Sequence, residues 1–318
     1  MDNITHTLAG GLLGQMGLKR QSRFAMAACL LGASAPDIDV FAPLILPVDG
    51  IAFHRGPTHA VFAVPVLAAA LTALLWLLHR LWPRPGKAAE FRPAALFAVA
   101  LIAIASHPFL DWLTTYAIAI FSPVSSRWYS GNAIFIIDWV YWLLMIGGIA
   151  GSWWRSRRQR ANPGQPARIA GLLLVAYIGF NLGESSAIER ATAAALRRQG
   201  IEAELVVASP PPFAFWRRSI AWRSADRWGS GTYDLANGLR LDPVSYPLGL
   251  DDPRLARAIR NRRYVRSFLT WSRMPIVVQE DGRTYLSDQR FYGQLRSRVV
   301  PAKVRSFFRR NAFVVPLD

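Results

Sequence analysis

Hydrophobic residues are concentrated in the first 183 positions of this 318-residue chain. Apolar runs occur there at residues 3–18, 24–35, 60–78, 94–120, 134–154 and 169–183. A helix of about 20 apolar residues crosses the hydrocarbon core of a bilayer, and 60–78 and 134–154 meet that length. The runs at 94–120 and 169–183 also predict spans. The two shortest runs predict a helical hairpin that crosses incompletely or re-enters the same face.

The remaining residues, 184–318, alternate between short apolar and polar segments and contain many turn residues. Strands are predicted near 204–208, 213–219, 232–235 and 274–280, and a basic helix is predicted near 253–271. Asp281-Gly282 is a typical hairpin turn. The pattern therefore predicts an α-helical polytopic membrane domain over residues 1–183, with about four spans plus the N-terminal hairpin, followed by a smaller soluble α+β domain over residues 184–318.

Basic residues within the membrane half sort by loop. Three loops hold 12 of its 14 lysines and arginines, namely Lys19, Arg20 and Arg23, then Arg80, Arg84, Lys87 and Arg92, then Arg155, Arg157, Arg158, Arg160 and Arg168. Such loops remain in the cytoplasm of bacterial cells. We therefore expect a multi-pass protein of the inner membrane, whose other segment ends and soluble domain lie on the periplasmic side.

Those other segment ends carry histidines and aspartates. The candidate metal ligands are His6, Asp37, Asp39, His54, His59, His107, Asp111 and Asp138. His79 falls at the opposite, cytoplasmic end and is not a candidate. Cys29 is the only cysteine, so a cysteine-cluster zinc site within the chain is excluded.

Two of the motifs follow turns at segment ends. Asp37 and Asp39 come directly after Pro36, and two carboxylates this close repel each other unless a cation lies between them or one is protonated. A solvated turn is the alternative. His54 and His59 flank a Gly-Pro turn that can bring both imidazoles to one point, although an interfacial loop with two unrelated histidines has the same sequence pattern.

The other candidates lie within apolar segments. His107 and Asp111 are four residues apart and would share one helix face. Ionisable groups inside a membrane segment usually have a function, and Asp138 also belongs to this class. The alternative is structural: Asp111 or Asp138 could simply pair with Arg55 or Arg127.

Four histidines and four aspartates exceed the ligand set of a single zinc ion. We therefore expect one or two divalent cations, with zinc the first choice and manganese or magnesium the alternatives. Two such ions can activate water and hold the attacking and leaving oxygens of a hydrolytic displacement. Asp39 and His59 are predicted to be catalytic, and Arg55 is predicted to neutralise an oxyanion. The chain has no HExxH motif, which argues against a zincin protease.

Five ordered motifs resemble the YdjM-type family of bacterial inner-membrane proteins. They are ITHTLAG at 4–10, APDID at 35–39, HRGPTH at 54–59, SHPFLDWLTTY at 106–116, and SPVSSRWYSGNAIFIIDW at 122–139. Members are described as metal-dependent hydrolases and as LexA-binding, membrane-associated proteins. The resemblance therefore implies hydrolysis at a metal site built from these motifs, and it covers about the first 180 residues.

The sequence thus predicts a metal-dependent hydrolase, in which metal-activated water attacks a lipid or lipid-linked phosphoester or ester at the outer face of the inner membrane. A divalent-metal transporter or sensor is one alternative. A non-catalytic membrane interaction protein, packed through Gly10 and Gly14, is another. The net charge of +17 favours anionic phospholipids as partners rather than nucleic acid. Oligomeric state is left open.

Overall fold

The computed structural model describes residues 1–82, 90–280, 282–296 and 313–318. Arg84, Lys87 and Asp281, which entered the predictions above, lie outside these ranges. The chain divides into two compact units, residues 1–131 with 136–179, and residues 132–135 with 180–318. The first unit is helical and the second contains antiparallel strands, which confirms the predicted fold class.

Eight α-helices are described before the first strand of the described residues. They are α1 (Asn3–Met16), α2 (Ala25–Ser34), α3 (Ala42–Ile45), α4 (Gly50–Phe53), α5 (Ala63–Leu81), α6 (Pro93–Trp112), α7 (Trp139–Arg157) and α8 (Gln165–Arg198). Short 3₁₀ turns at Leu18–Arg20, Ala35–Phe41 and Pro57–His59 connect some of them. Two of these turns carry candidate ligands. Pro36 lies at the start of the turn after α2, and Pro57 lies at the start of the turn before α5.

Four described helical segments are long and apolar enough to cross a membrane: Ala25–Ile45, Ala63–Leu81, Pro93–Trp112 and Gln165–Arg198. The first is longer than the predicted run at 24–35, because α2 continues through a 3₁₀ turn into α3. The run at 134–154, by contrast, forms a helix that begins later than predicted. Helix α7 begins only at Trp139, after its cap Asp138, and it ends among arginines, so it is not one of the four.

Helices α1 and α2 pack against each other at very short range. A Cβ atom at Gly10 would overlap the carbonyl oxygen of Cys29, and one at Gly14 would overlap the sulfur of Met26. Small residues at this spacing allow two helix backbones to approach closely. Helix α2 in turn packs on α5 and α6 through a buried apolar cluster that includes Cys29, Leu71 and Ile104.

The helices α5 and α6 each have one basic end and one end rich in candidate ligands. His59 precedes α5, whereas His79 and Arg80 lie in its last turn. Arg92 precedes α6, and His107 and Asp111 lie near its carboxyl end. At 1.5 Å per residue, the 15 residues from Arg92 to His107 separate these ends by about 22 Å.

The second unit contains two antiparallel sheets. One has five strands, β1 (Leu205–Ser209), β2 (Arg217–Arg223), β3 (Arg227–Asp234), β4 (Gly238–Leu241) and β5 (Tyr246–Pro247), in the order β1-β2-β3-β4 with β5 also paired to β3. The other has β6 (Pro275–Glu280), β7 (Arg283–Asp288) and β8 (Val314–Pro316). The described part of this unit also contains helices α9 (Pro253–Asn261), α10 (Arg263–Trp271) and α11 (Gln289–Arg296), together with the end of α8 from residue 180.

Candidate metal centre

Four buried or nearly buried side chains of the first unit converge at one point. Asp37 comes from the turn after α2, His59 from the turn before α5, and His107 and Asp111 from the end of α6. One ligand atom from each lies within 4.8 Å of all the others. The Asp37 Oδ1 is 3.5 Å from the Nε2 of His59 and 3.2 Å from that of His107. The Asp111 Oδ2 is 3.3 and 3.6 Å from the same two nitrogens.

The hydrogen bonds of each imidazole leave its Nε2 free to bind a cation. His107 Nδ1 lies 2.6 Å from the carbonyl oxygen of Ala33, which can only accept, so Nδ1 carries the proton. The Thr58 hydroxyl donates to Asp39 Oδ2 at 2.7 Å, and the Nδ1 of His59 lies 3.1 Å from that hydroxyl and 3.3 Å from that carboxylate oxygen. The Thr58 and Asp39 oxygens can both accept a hydrogen bond from His59 Nδ1. Its Nε2 therefore presents a lone pair.

This donor set fits a divalent cation. The two Nε2 atoms face each other at 3.1 Å with a carboxylate oxygen on either side, so four potential ligand atoms converge. The buried Asp111 carboxylate forms ion pairs with Arg55 Nε through Oδ2 and with the amino group of Met1 through Oδ1. Tetrahedral zinc with bonds of roughly 2.0–2.1 Å separates its ligand atoms by about 3.3 Å, and the contacts here span 3.1 to 3.6 Å.

Arg55 is buried behind this cluster rather than exposed to a substrate. Its Nε lies 3.0 Å from Asp111 Oδ2, its Nη1 donates to Thr114 at 3.1 Å, and its guanidinium covers the ring of Tyr116 at 4.6 Å. Burial lowers the pKa of Arg55, and nearby acidic groups, including Asp37, counteract that effect. The pairing of Arg55 with Asp111, which the structural alternative required, is present, and it occurs alongside the histidine cluster.

Asp39 holds other site residues in place. One oxygen accepts from His54 Nδ1 at 2.8 Å, and the other accepts from the Thr58 hydroxyl and from the backbone N–H of Arg55 at 3.1 Å. That backbone bond depends on a left-handed conformation, because Arg55 has a φ of 64°. Carboxylates that bond a ligating imidazole fix its orientation and raise its basicity. Thr58 was not predicted, although it lies within the HRGPTH motif.

A second group of potential ligands comprises Asp37, Asp39 and His54, and it shares Asp37 with the first group. His54 is the most accessible member, with 27% of its side chain exposed, whereas 12% of the Asp37 side chain is exposed. These two residues therefore form the open edge of the site.

His6 lies beside the four-residue group. Its ring stacks on that of His107 at a centroid distance of 3.6 Å, and its Nε2 is 3.4 Å from Asp111 Oδ1. Both ring nitrogens are buried without a hydrogen bond in the described structure. His6 therefore borders the four-residue group without belonging to it.

Asp138 is not brought to either ligand group. Its carboxylate caps α7 by accepting the Tyr141 N–H at 2.9 Å, and its second oxygen accepts the Tyr177 hydroxyl at 2.8 Å. No motif in the sequence indicated Tyr177 as a partner. His79, which the charge pattern separated from the candidates, lies 2.7 Å from Arg23 Nη1 and stacks on Phe91 at the basic end of α5.

Comparison with known proteins agrees with this architecture. The family model for the YdjM inner membrane protein matches residues 1–187, which include every residue of the site. A protein of Bacillus subtilis (strain 168), named uncharacterized protein YfhP, is 27% identical over 229 residues, which is 69% of this chain and 65% of that protein. The aligned part of the chain thus spans less than two thirds of that relative. No solved structure matches. The family match and the apolar helices together establish that this chain belongs to the YdjM inner membrane protein family.

Proposed function

We propose that this protein is a membrane-embedded metal-dependent hydrolase whose cation is held by Asp37, His59, His107 and Asp111. The main support for this proposal is the convergence of two Nε2 atoms, 3.1 Å apart, with two carboxylates in a buried site. Burial removes the hydration of these groups, and a bound cation would compensate for that loss.

A divalent cation bound there would supply Lewis acidity and would lower the pKa of a coordinated water to about 7. The protein's own residues orient the ligands and balance their charge. Ala33 and Asp39 hold the rings of His107 and His59 in their ligating tautomers. Arg55 balances the charge of Asp111, which keeps two carboxylates compatible with one buried site.

The exposed edge contains a second functional pair, in which His54 is hydrogen-bonded to Asp39. Asp39 accepts a hydrogen bond from His54 Nδ1, which leaves His54 Nε2 as a proton acceptor next to the ligands. A positioned imidazole of this kind acts as a general base and later returns the proton to the leaving group. We therefore assign the proton transfer to His54 and the orientation of His54 and His59 to Asp39.

The surroundings of that edge favour a lipid or lipid-linked substrate. Large apolar side chains next to Asp37 and Asp39 are exposed, including Ile38, Leu44 and Ile45, the last with 81% of its surface accessible. An apolar border beside a charged site suits a substrate with an acyl or prenyl chain and a polar ester or phosphoester. The loop charges place this edge on the periplasmic side in our proposal.

Metal analysis of protein purified in detergent tests the centre directly. We expect one or two divalent ions per wild-type chain, loss of metal in His107→Ala, and full retention in His79→Ala, a matched histidine at the other end of the helices. A screen of phospholipids and lipid-linked phosphoesters should then reveal hydrolysis that chelator abolishes. A metal-free wild type, stable in chelator, would refute the centre, whereas bound metal with no turnover would favour the transporter or sensor.

A further inference from the structure

The second unit contains a cavity that the proposed function does not use. It has a volume of about 450 Å³ and opens against one face of the sheet formed by β1, β2 and β3. Helix α11 contributes Gln289 and Tyr292 to its wall, and the segment after β4 contributes Asp242. Ligand sites for small molecules usually occupy about 300 to 1,000 Å³. The cavity therefore has the size of a small ligand site.

Aromatic rings form part of the lining. The ring of Trp228 lies 5.0 Å from that of Tyr246 at a 32° tilt, and Tyr292 approaches Trp228 edge-on at 6.0 Å. Trp228 is buried, whereas Tyr246 is exposed at the mouth. The electron-rich faces of such rings attract the polarised C–H groups on one side of a sugar ring.

Two lining side chains carry buried polar atoms without a hydrogen-bond partner in the described structure. Gln289 Oε1 is an acceptor and Trp228 Nε1 is a donor. The amide of Gln289 cannot simply be reversed, because its Nε2 donates to the carbonyl oxygens of Trp222 at 3.1 Å and of Gly229 at 2.6 Å. Both atoms are fully buried, so a ligand with several hydroxyl groups would contact the accessible polar groups of the lining, which include the Ser230 and Thr232 hydroxyls and the Asp242 carboxylate.

The charges around the cavity favour a neutral ligand. Asp288 binds Arg290 in bidentate fashion, at 2.8 Å to Nε and 2.7 Å to Nη2, which compensates the charge of Arg290, the cation among the described residues of the lining. Asp242 accepts a hydrogen bond from Ser230 and adds a carboxylate to the rim. A phosphate would therefore meet a negative rim and a neutralised arginine, whereas sugar hydroxyls can donate to that carboxylate.

We propose that this cavity binds a neutral pyranose sugar, as a free saccharide or as the headgroup of a glycolipid. Aromatic rings, hydroxyl groups and a carboxylate line one space of the right size. The proposal is independent of the metal centre, because every residue that carries it belongs to the second unit.

The test uses full-length protein in a sugar-free detergent, since maltoside detergents would compete. Calorimetric titration with glucose, N-acetylglucosamine and maltose probes free sugars, octyl glucoside below its micelle concentration probes the glycolipid form, and glucose 6-phosphate probes an anion. We expect saturable binding of a neutral sugar and weaker binding of the phosphate. Binding of octyl glucoside without glucose would support the glycolipid form, and binding of both would support the free sugar as well.

Variants at the exposed rim should preserve folding. Tyr246→Ala and Asp242→Ala should each weaken binding by roughly tenfold, the effect expected for loss of one stacking or charged hydrogen-bond contact. Tyr264→Ala, an exposed tyrosine on α10 outside the cavity, should bind as the wild type does. Absence of saturable binding to every neutral probe, tighter binding of glucose 6-phosphate, or wild-type affinity in both rim variants would overturn the proposal.

Discussion

His59 and His107 approach each other through their Nε2 atoms, 3.1 Å apart, although the two residues are 48 positions apart in the chain. Neither nitrogen can donate to the other, because each ring has its proton on Nδ1, directed to Asp39 and Thr58 in one case and to Ala33 in the other. The packing of α5 and α6 therefore creates a pair of convergent lone pairs. This pair is the feature of the cluster that a divalent cation could use.

Replacement of Asp39 by asparagine should weaken metal binding without abolishing it. Asp39→Asn keeps the shape of the side chain but removes the charge that orients His54 and His59. Loss of such a supporting carboxylate typically lowers metal affinity by about 10- to 100-fold. Competition with a metal-binding dye measures the change. Complete loss, equal to that in His107→Ala, would instead identify Asp39 as a ligand.

Replacement of Asp138 by alanine should destabilise the protein and leave its metal content unchanged. Asp138→Ala removes the cap of α7 and the bond to Tyr177, and a lost cap costs about 1 kcal/mol. Tyr177→Phe removes only one of these contacts and should have a smaller effect. Thermal unfolding and metal analysis of both variants separate the roles. Loss of metal in Asp138→Ala but not in Tyr177→Phe would show that Asp138 is a ligand.

Gly10 should tolerate no side chain. Gly10→Ala places a methyl group against the Cys29 backbone and Ala33, so α1 and α2 must separate. Overpacking of this kind costs typically 1 to 3 kcal/mol. Gly147→Ala is the control, because that helical glycine has open space around it and alanine favours helices. Similar thermal unfolding of the two variants would contradict the close packing of the hairpin.

Labelling of single cysteines should reveal the orientation of the first unit. Cys29 is buried and gives little background. Val124, with 81% exposure, follows the site end of α6, whereas Arg20 follows the other end of α1. We expect a membrane-impermeant maleimide to label Val124→Cys in intact spheroplasts and Arg20→Cys only after lysis. The reverse pattern would place the site at the cytoplasmic face.

Acid should destabilise the second unit through Asp288. Burial by itself raises the pKa of this carboxyl, but Arg290 and Ser272 outweigh that effect and hold the pKa below its usual range. The resulting stabilisation is complete above the unfolded pKa of about 3.9 and is lost as the pH falls through the lower, folded value. Asp288→Asn should lose stability at pH 7 and show less further loss below pH 4.

Unfolding curves of the full chain at pH 7, 4 and 3 provide the measurement. Asp234→Asn is the control, since Asp234 pairs with Arg217 at the surface, where the solvent screens the interaction. We expect that variant to follow the wild type closely. Equal acid sensitivity of Asp288→Asn and the wild type would show that another group is responsible.

Several features of this protein are local and could therefore be predicted from the sequence. The length of the apolar runs determines that the first unit can span a bilayer, and the alternating pattern after residue 184 predicts strands. The arginine distribution separates His79 from the other four histidines. The structure places His79 with Arg23 at the basic end, as that separation requires.

The identity of the residues that meet was decided only by the packing of the helices. Eight candidates were equivalent in sequence, yet Asp37, His59, His107 and Asp111 converge while Asp138 caps a helix. The close approach of α1 to α2 at Gly10, the turns at Pro36 and Pro57, and the left-handed backbone of Arg55 set these positions. Apolar length and charge are properties of neighbouring residues, whereas a ligand set depends on distances between segments that only a packed core fixes.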